Sequence, residues 1–138
     1  MDLCEFPTGS HNYNHWMMMF LDDYSGLGSI VFLKKKLDAT VKFCDWLVWA
    51  ERQSGYKLLK LRLNQGGGYI SSEIQDQLAS KGIEHQKTVP RVPQQTQNGR
   101  TEHFNRPILE KAKAMRHAAC LPPTFWQDAV ETSLHVYN

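Results

Sequence analysis

Short apolar runs separated by turn-forming clusters occupy the first third of the chain. Trp16 to Leu21 is an unbroken apolar run, and Asp22-Asp23-Tyr24-Ser25-Gly26 follows as a turn signal. Ser29 to Leu33 is a second run, so the pair predicts a β-hairpin. Asp2-Leu3-Cys4 reads as the tail of an earlier strand. The spacing then becomes helical. Asp38 stands where an N-cap belongs, and Phe43, Leu47 and Ala50 recur at i, i+4, i+7. This predicts a helix to about Gln53, stopped by Ser54-Gly55. Leu58 to Leu63 predicts a strand. Asn64-Gln65-Gly66-Gly67-Gly68 predicts a loop, because three glycines in a row favour neither helix nor strand. A short helix carries Ile74 and Leu78, capped by Ser71 or Ser72 and ended by Gly82. Ile83 to Val89 is another strand, closed by Pro90. Pro90 to Gly99 has no apolar period and reads as a mobile surface loop. Ile108, Ala112, Met115 and Ala119 then mark a long amphipathic helix. Pro122-Pro123-Thr124 breaks the chain before a last helix with Phe125, Trp126, Ala129 and Val130. The order β-β-β-α-β-α-β-α-α is that of a mixed α/β domain.

Composition narrows the class. The chain has 138 residues, 41% of them hydrophobic and 11% aromatic, enough to build one core and too apolar for a disordered tail. The formal net charge of +2 names no partner by itself. No apolar run is long enough to cross a bilayer, and Met1-Asp2-Leu3-Cys4-Glu5 lacks the regions of a signal peptide. A soluble intracellular chain with no membrane partner is expected. Cys4, Cys44 and Cys120 form no metal-binding spacing and read as small buried apolar residues.

Several tempting residues have plainer readings. Asp22 and Asp23 fit turn chemistry better than metal ligation. His11 and His15 have i, i+4 spacing but no further ligand nearby. His85 reads as a structural histidine, and Met17-Met18-Met19 as strand filler. Trp46, Trp49 and Trp126 read as core or helix-packing residues. Gly66-Gly67-Gly68 lacks the Lys-Ser/Thr of a phosphate-binding loop.

A set of ordered segments adds a family reading. They are Met1-Asp2-Leu3-Cys4, Phe20-Leu21-Asp22-Asp23-Tyr24-Ser25, Leu61-Arg62-Leu63-Asn64-Gln65-Gly66-Gly67-Gly68-Tyr69 and His85-Gln86-Lys87-Thr88-Val89-Pro90. Pro93-Gln94-Gln95, Asn98-Gly99, Glu102, Asn105-Arg106 and Leu121-Pro122-Pro123-Thr124-Phe125-Trp126-Gln127-Asp128-Ala129-Val130 follow. In order and spacing they resemble the integrase catalytic domain of copia-class LTR retrotransposons, over residues 1–138. The resemblance implies an RNase H-like α/β fold, a five-stranded mixed sheet flanked by helices, here with most of the first strand missing. It implies three carboxylates holding two Mg²⁺ or Mn²⁺ ions, which suit hard oxygen ligands and serve phosphoryl transfer by activating one oxygen and stabilising another. In the family, water trims the element's DNA ends, and the freed 3′ hydroxyl attacks target DNA.

Carried over by position, Asp2 is the first carboxylate and a metal ligand, and Glu102 is the third. The second falls on Asn64, whose amide brings no negative charge. Impaired metal binding and weak or absent catalysis are therefore expected, the family being a DNA integration enzyme and this copy a pseudoenzyme. Thirty-seven residues separate Asn64 from Glu102, two more than in the family, which places an insertion near Thr96-Gln97. Pro107 stands where threonine is usual, and inside a helix it would cost about 3 kcal/mol. The start one residue before Asp2, the end at Asn138 and the missing zinc-binding module suggest a fragment of a decayed element.

Charge along the chain supports a binding surface. Gln86 to Ala118 holds seven basic and two acidic residues. On a helix, Glu102, Arg106, Lys113 and Arg116 share one side, roughly a quarter turn from the apolar stripe. With Arg100 they form a basic ridge suited to phosphates, and Gln94, Gln95 and Asn98 offer amide donors and acceptors. Nucleic acid is the expected partner, a homodimer through helix faces a further one, and the nucleus the expected location. The alternative is a catalytically dead remnant that binds nucleic acid or protein.

Overall fold

Three consecutive methionines set the layering. In a strand, neighbouring side chains point to opposite faces, so a strand buried on both faces must be apolar without alternation. Met17, Met18 and Met19 are all fully buried. Met18 joins one core with Phe20, Phe43, Leu47, Leu61, Ile74 and Leu78, while Met17 and Met19 join another with Phe104, Ile108, Trp126 and Val130. The computed structural model describes residues 1–63, 72–87 and 99–138, with the backbone alone for 72, 87 and 99–102.

The elements follow the expected order. Strands β1 (Asp2–Glu5), β2 (Trp16–Leu21) and β3 (Gly28–Leu33) form an antiparallel sheet in the order β1-β2-β3. Helix α1 (Ala39–Ser54) follows, then β4 (Lys60–Leu63), α2 (Ser72–Ser80) and β5 (Glu84–Lys87), with β4 and β5 parallel. Helices α3 (Gly99–Ala118) and α4 (Trp126–Tyr137) close the chain. Five strands are thus described, three antiparallel and two parallel. The Met1 nitrogen donates to the Arg62 carbonyl at 2.8 Å, which brings the start of β1 against the end of β4.

Local chemistry explains the element ends. Gly55 stops α1 in the left-handed region at φ 72°, its N–H bonded to the Glu51 carbonyl, a conformation that favours glycine. Asp38 precedes α1 as expected, but its carboxylate accepts from the Lys35 N–H instead of capping α1. Strand β4 starts later than predicted because the Leu58 N–H is taken by the Glu51 carboxylate, which also pairs with Lys57. Strand β5 ends at Lys87; Val89 and the loop to Asn98 lie outside the described residues. Pro107 does sit inside α3. It leaves the His103 carbonyl without its helical donor, and His103 is exposed, so water can reach that end of the helix.

Two expectations about burial are corrected. Trp49 is 52% exposed, because it lies across α1 from the buried row Ala39, Phe43 and Leu47. Trp46 and Trp126 do pack: Trp46 stacks on Phe20 at 3.6 Å and Trp126 on Phe6 at 3.8 Å. Cys120 is exposed, since it turns the chain between α3 and α4 at φ 52°. Cys4 and Cys44 are half-buried. The apolar stripe of α3 begins earlier than predicted, at Phe104, and Ala119 falls beyond the helix.

The sheet carries α3 and α4 at very close range around Gly28. A Cβ there would overlap the Phe104 ring, 2.6 Å from its Cε2, and lie 2.8 Å from Leu134 Cδ1. The Asn138 amide clasps the same residue, bonding both its N–H and its carbonyl at 2.9 Å. Gly28→Val is expected to lower stability by about 1–3 kcal/mol through overpacking, read from urea melts. An unchanged midpoint would contradict this packing.

Candidate active site

Asp2 opens β1, and the register places it beside Met19 of the central strand. Its carboxylate is half-buried and fixed from two directions. Oδ1 accepts from the Leu3 N–H at 3.0 Å, and Oδ2 accepts from Asn105 Nδ2 at 2.6 Å. The Cys4 thiol lies 3.9 Å from Oδ2 as a weak third donor. Burial, with the charge of Asp2 adding to it, pushes that thiol up to about 12. It stays protonated and serves as a donor, not a thiolate ligand.

Asn105 is the residue that sequence reasoning missed as a site member. It is buried on α3 between Phe104 and Ile108, so a polar side chain occupies an otherwise apolar face. That interruption of the stripe was the available signal. Buried amides normally use both ends, yet Asn105 Oδ1 has no hydrogen-bond partner among the described residues. Its other end is spent on Asp2, across 103 positions of sequence.

The contact brings the first half of α3 to the start of β1. Glu102 lies three residues before Asn105, on the same helix face; its side chain is outside the described residues. Asn64 is outside them too, two positions beyond Arg62, the residue of β4 that meets Met1. The backbone therefore gathers the β1 start, the β4 end and the α3 turn carrying Glu102. Among the described side chains alone, no group of three His, Cys, Asp or Glu is placed to hold a metal. The donors that are described, a carboxylate and an orphaned amide oxygen, are the hard oxygen type that Mg²⁺ or Mn²⁺ prefers.

The residues expected to form a basic ridge lie on α3, and two of them have partners there or in the following turn. Arg106 is exposed and pairs with Glu110 at 2.9 Å. Arg116 is half-buried, and its guanidinium bonds the Leu121 carbonyl at 3.1 Å, closing the α3–α4 turn. Lys113 is exposed. Arg100 belongs to α3 by its backbone; its side chain, and the whole of Gln94, Gln95 and Asn98, lie outside the described residues.

The plainer readings hold for several residues. Asp22 accepts from the Ser25 N–H and hydroxyl, as a turn-forming aspartate does. His11 departs from the expectation of no further ligand nearby, its Nδ1 standing 3.1 Å from the Asp128 carboxylate, while His15 packs against Gly9. No helix among the described residues is long and apolar enough to cross a membrane.

Comparison with solved structures identifies the fold. A chain of the simian T-cell lymphotropic virus intasome, in complex with PP2A regulatory subunit B56 gamma, matches 96% of this chain and 45% of its own length, with TM-score 0.66 and 18% identity. The HTLV-2 integrase catalytic core domain in complex with magnesium, in its trimeric form, matches 96% of this chain and 80% of its own, with TM-score 0.61 and 19% identity. The fold is the RNase H-like α/β fold of integrase catalytic cores. A relative from Nicotiana tabacum, the retrovirus-related Pol polyprotein from transposon TNT 1-94, is 39% identical over 125 residues. That match covers 91% of this chain and only 9% of the polyprotein. No family model matches the sequence. The chain has the fold of integrase catalytic cores and, over 125 residues, a likeness to a retrotransposon Pol polyprotein that supports an integrase catalytic domain.

Hydrogen bonds to charged groups contribute about 1.5–3 kcal/mol. Asn105→Ala is therefore expected to cost that much in urea melts and to speed amide exchange in β1 relative to α4. Unchanged protection of Leu3 and Cys4 would show that Asn105 does not hold the strand.

Proposed function

We propose that this domain acts on nucleic acid by metal-dependent phosphoryl transfer of the DNA-integration type, with Asp2 and Glu102 as metal ligands and Asn64 weakening the site. The observation that carries the reading is the 2.6 Å bond from Asn105 to Asp2. It holds a half-buried carboxylate beside the helix turn that bears Glu102. Two divalent ions, when bound, would activate an attacking oxygen and stabilise a leaving one. The protein's part is to orient. Asn105 and the Leu3 N–H fix the Asp2 carboxylate, so a ligand there loses little freedom on binding.

The related HTLV-2 core was solved with magnesium, which supports the choice of ion. Lys113 and Arg116, with Arg100 and Arg106, supply positive charge along α3 for a phosphate backbone. Target DNA in chromosomes makes the nucleus the place of action. HTLV-2 cores exist in dimeric and trimeric forms, and Val41, Val48 and Trp49 leave apolar surface on α1 that a second copy can cover.

Asn64 makes this copy slow. An amide replaces a carboxylate, so two divalent ions would face two negative side chains instead of three. Calorimetric titration with Mg²⁺ or Mn²⁺ is expected to show two ions bound by Asn64→Asp and weaker binding by the unaltered chain. Strand cleavage and joining should follow the same order. Equal rates would remove the impairment. Binding by neither protein would overturn the catalytic reading and leave nucleic-acid binding alone. For that surface, Lys113→Glu is expected to reduce the slope of log affinity against log salt by about one. A slope that does not change would remove Lys113 from the interface.

A further inference from the structure

The β2–β3 turn presents an aromatic ring to solvent on a main chain that is tightly held. Asp22 organises the turn: its carboxylate accepts from the Ser25 N–H at 2.8 Å and hydroxyl at 2.6 Å. Its N–H and carbonyl bond Leu27 and Gly26, and Leu27 donates to the Ser25 hydroxyl at 3.2 Å. Gly26 supplies the left-handed residue at φ 74°. Inside this frame Tyr24 is 99% exposed, and Leu27 beside it is 55% exposed. A ring on a fixed turn loses little backbone freedom when something packs on it.

The turn also lies at the active-site end of the sheet. Asp2 pairs with Met19, Met19 with Ile30, and the turn leaves the sheet at Leu21 and Gly28, two residues further on. At about 3.3 Å per residue, Tyr24 comes within roughly 10–15 Å of Asp2. That is about two to four nucleotide steps, 3.4 Å each in a stacked strand and about twice that in an extended one. The charges at the tip favour a base over a phosphate. Two carboxylates flank the ring, Asp22 closed onto Ser25 and Asp23 at 4.0 Å from Arg62. An aromatic face amid carboxylates repels phosphate oxygens but still accepts the uncharged face of a base.

We propose that Tyr24 is a stacking platform for an unpaired base, about two to four nucleotides from the phosphate engaged at Asp2. This rests on the nucleic-acid reading above and adds to it a contact that selects single-stranded or frayed ends. Base–aromatic stacking is sequence-tolerant, so the contact selects strand state, not sequence.

The test is fluorescence anisotropy with labelled single-stranded and blunt duplex oligonucleotides, in unaltered protein, Tyr24→Phe, Tyr24→Ala and Lys113→Glu. Tyr24→Ala is expected to lose about 5- to 10-fold in affinity for the single strand, with no change in salt slope and little change on the duplex. Tyr24→Phe should retain binding. A 2-aminopurine placed at one of the positions about two to four nucleotides from the end should be quenched by the unaltered protein and not by Tyr24→Ala. Equal single-strand affinity of Tyr24→Ala and unaltered protein, while Lys113→Glu weakens binding, overturns the platform and spares the nucleic-acid reading. No binding by unaltered protein at low salt overturns both.

Discussion

Burial of one strand on both faces is the constraint from which the rest follows. Because Met17, Met18 and Met19 must all leave water, the sheet needs helices on either side. Helix α1 and β4 cover the Met18 and Phe20 face, and α3 with α4 cover the Met17 and Met19 face. Methionine suits this position, being unbranched and able to fill irregular space on both sides. Once α3 is drawn onto that face by Phe104, Ile108 and Ala112, Asn105 is carried to Asp2. The site is a by-product of packing that was already required.

Sequence periodicity exposed the order of elements because each element buries one recognisable face. The hairpin, α1 and α3 were legible in this way, and the capping Gly55 and the turn at Asp22 followed from backbone chemistry. Other features depend on what stands opposite in space. Trp49 and Trp46 are three residues apart and equally apolar, yet only Trp46 meets Phe20 and the Ser29 hydroxyl. Asn105 stood among the segments that carry the family resemblance, but no role attached to it until its partner was known to be Asp2. Asp2 itself was legible through family resemblance. The structure adds that its carboxylate is held in one orientation by the Leu3 N–H and Asn105.

The two helices behind the site form one unit. The buried Ser133 hydroxyl bonds the Ile108 carbonyl at 2.9 Å, and Arg116 holds the intervening turn. The segment after β1 is strapped to α4 by Trp126 donating to the Thr8 carbonyl and by Ser10 and Asn14 both donating to Gln127 Oε1. Pro107 therefore sits in a helix supported along its length by neighbours. Tertiary packing routinely outweighs local helix preference, which explains how α3 continues through a residue that would break an isolated helix.

These straps have a consequence for how the molecule is made. A chain emerging from the ribosome presents its first residues long before its last. Here Asp2 waits for Asn105, Thr8 for Trp126, Ser10 for Gln127, and Gly28 for Asn138, spans of 103 to 118 positions. The β2–β3 hairpin can form early, but the face that α3 and α4 cover stays open until those helices have been made. Contacts of such separation close late and slowly. Asp2 is set in place only once α3 has been made, so the fixed orientation of its carboxylate belongs to the assembled domain and not to its first strands.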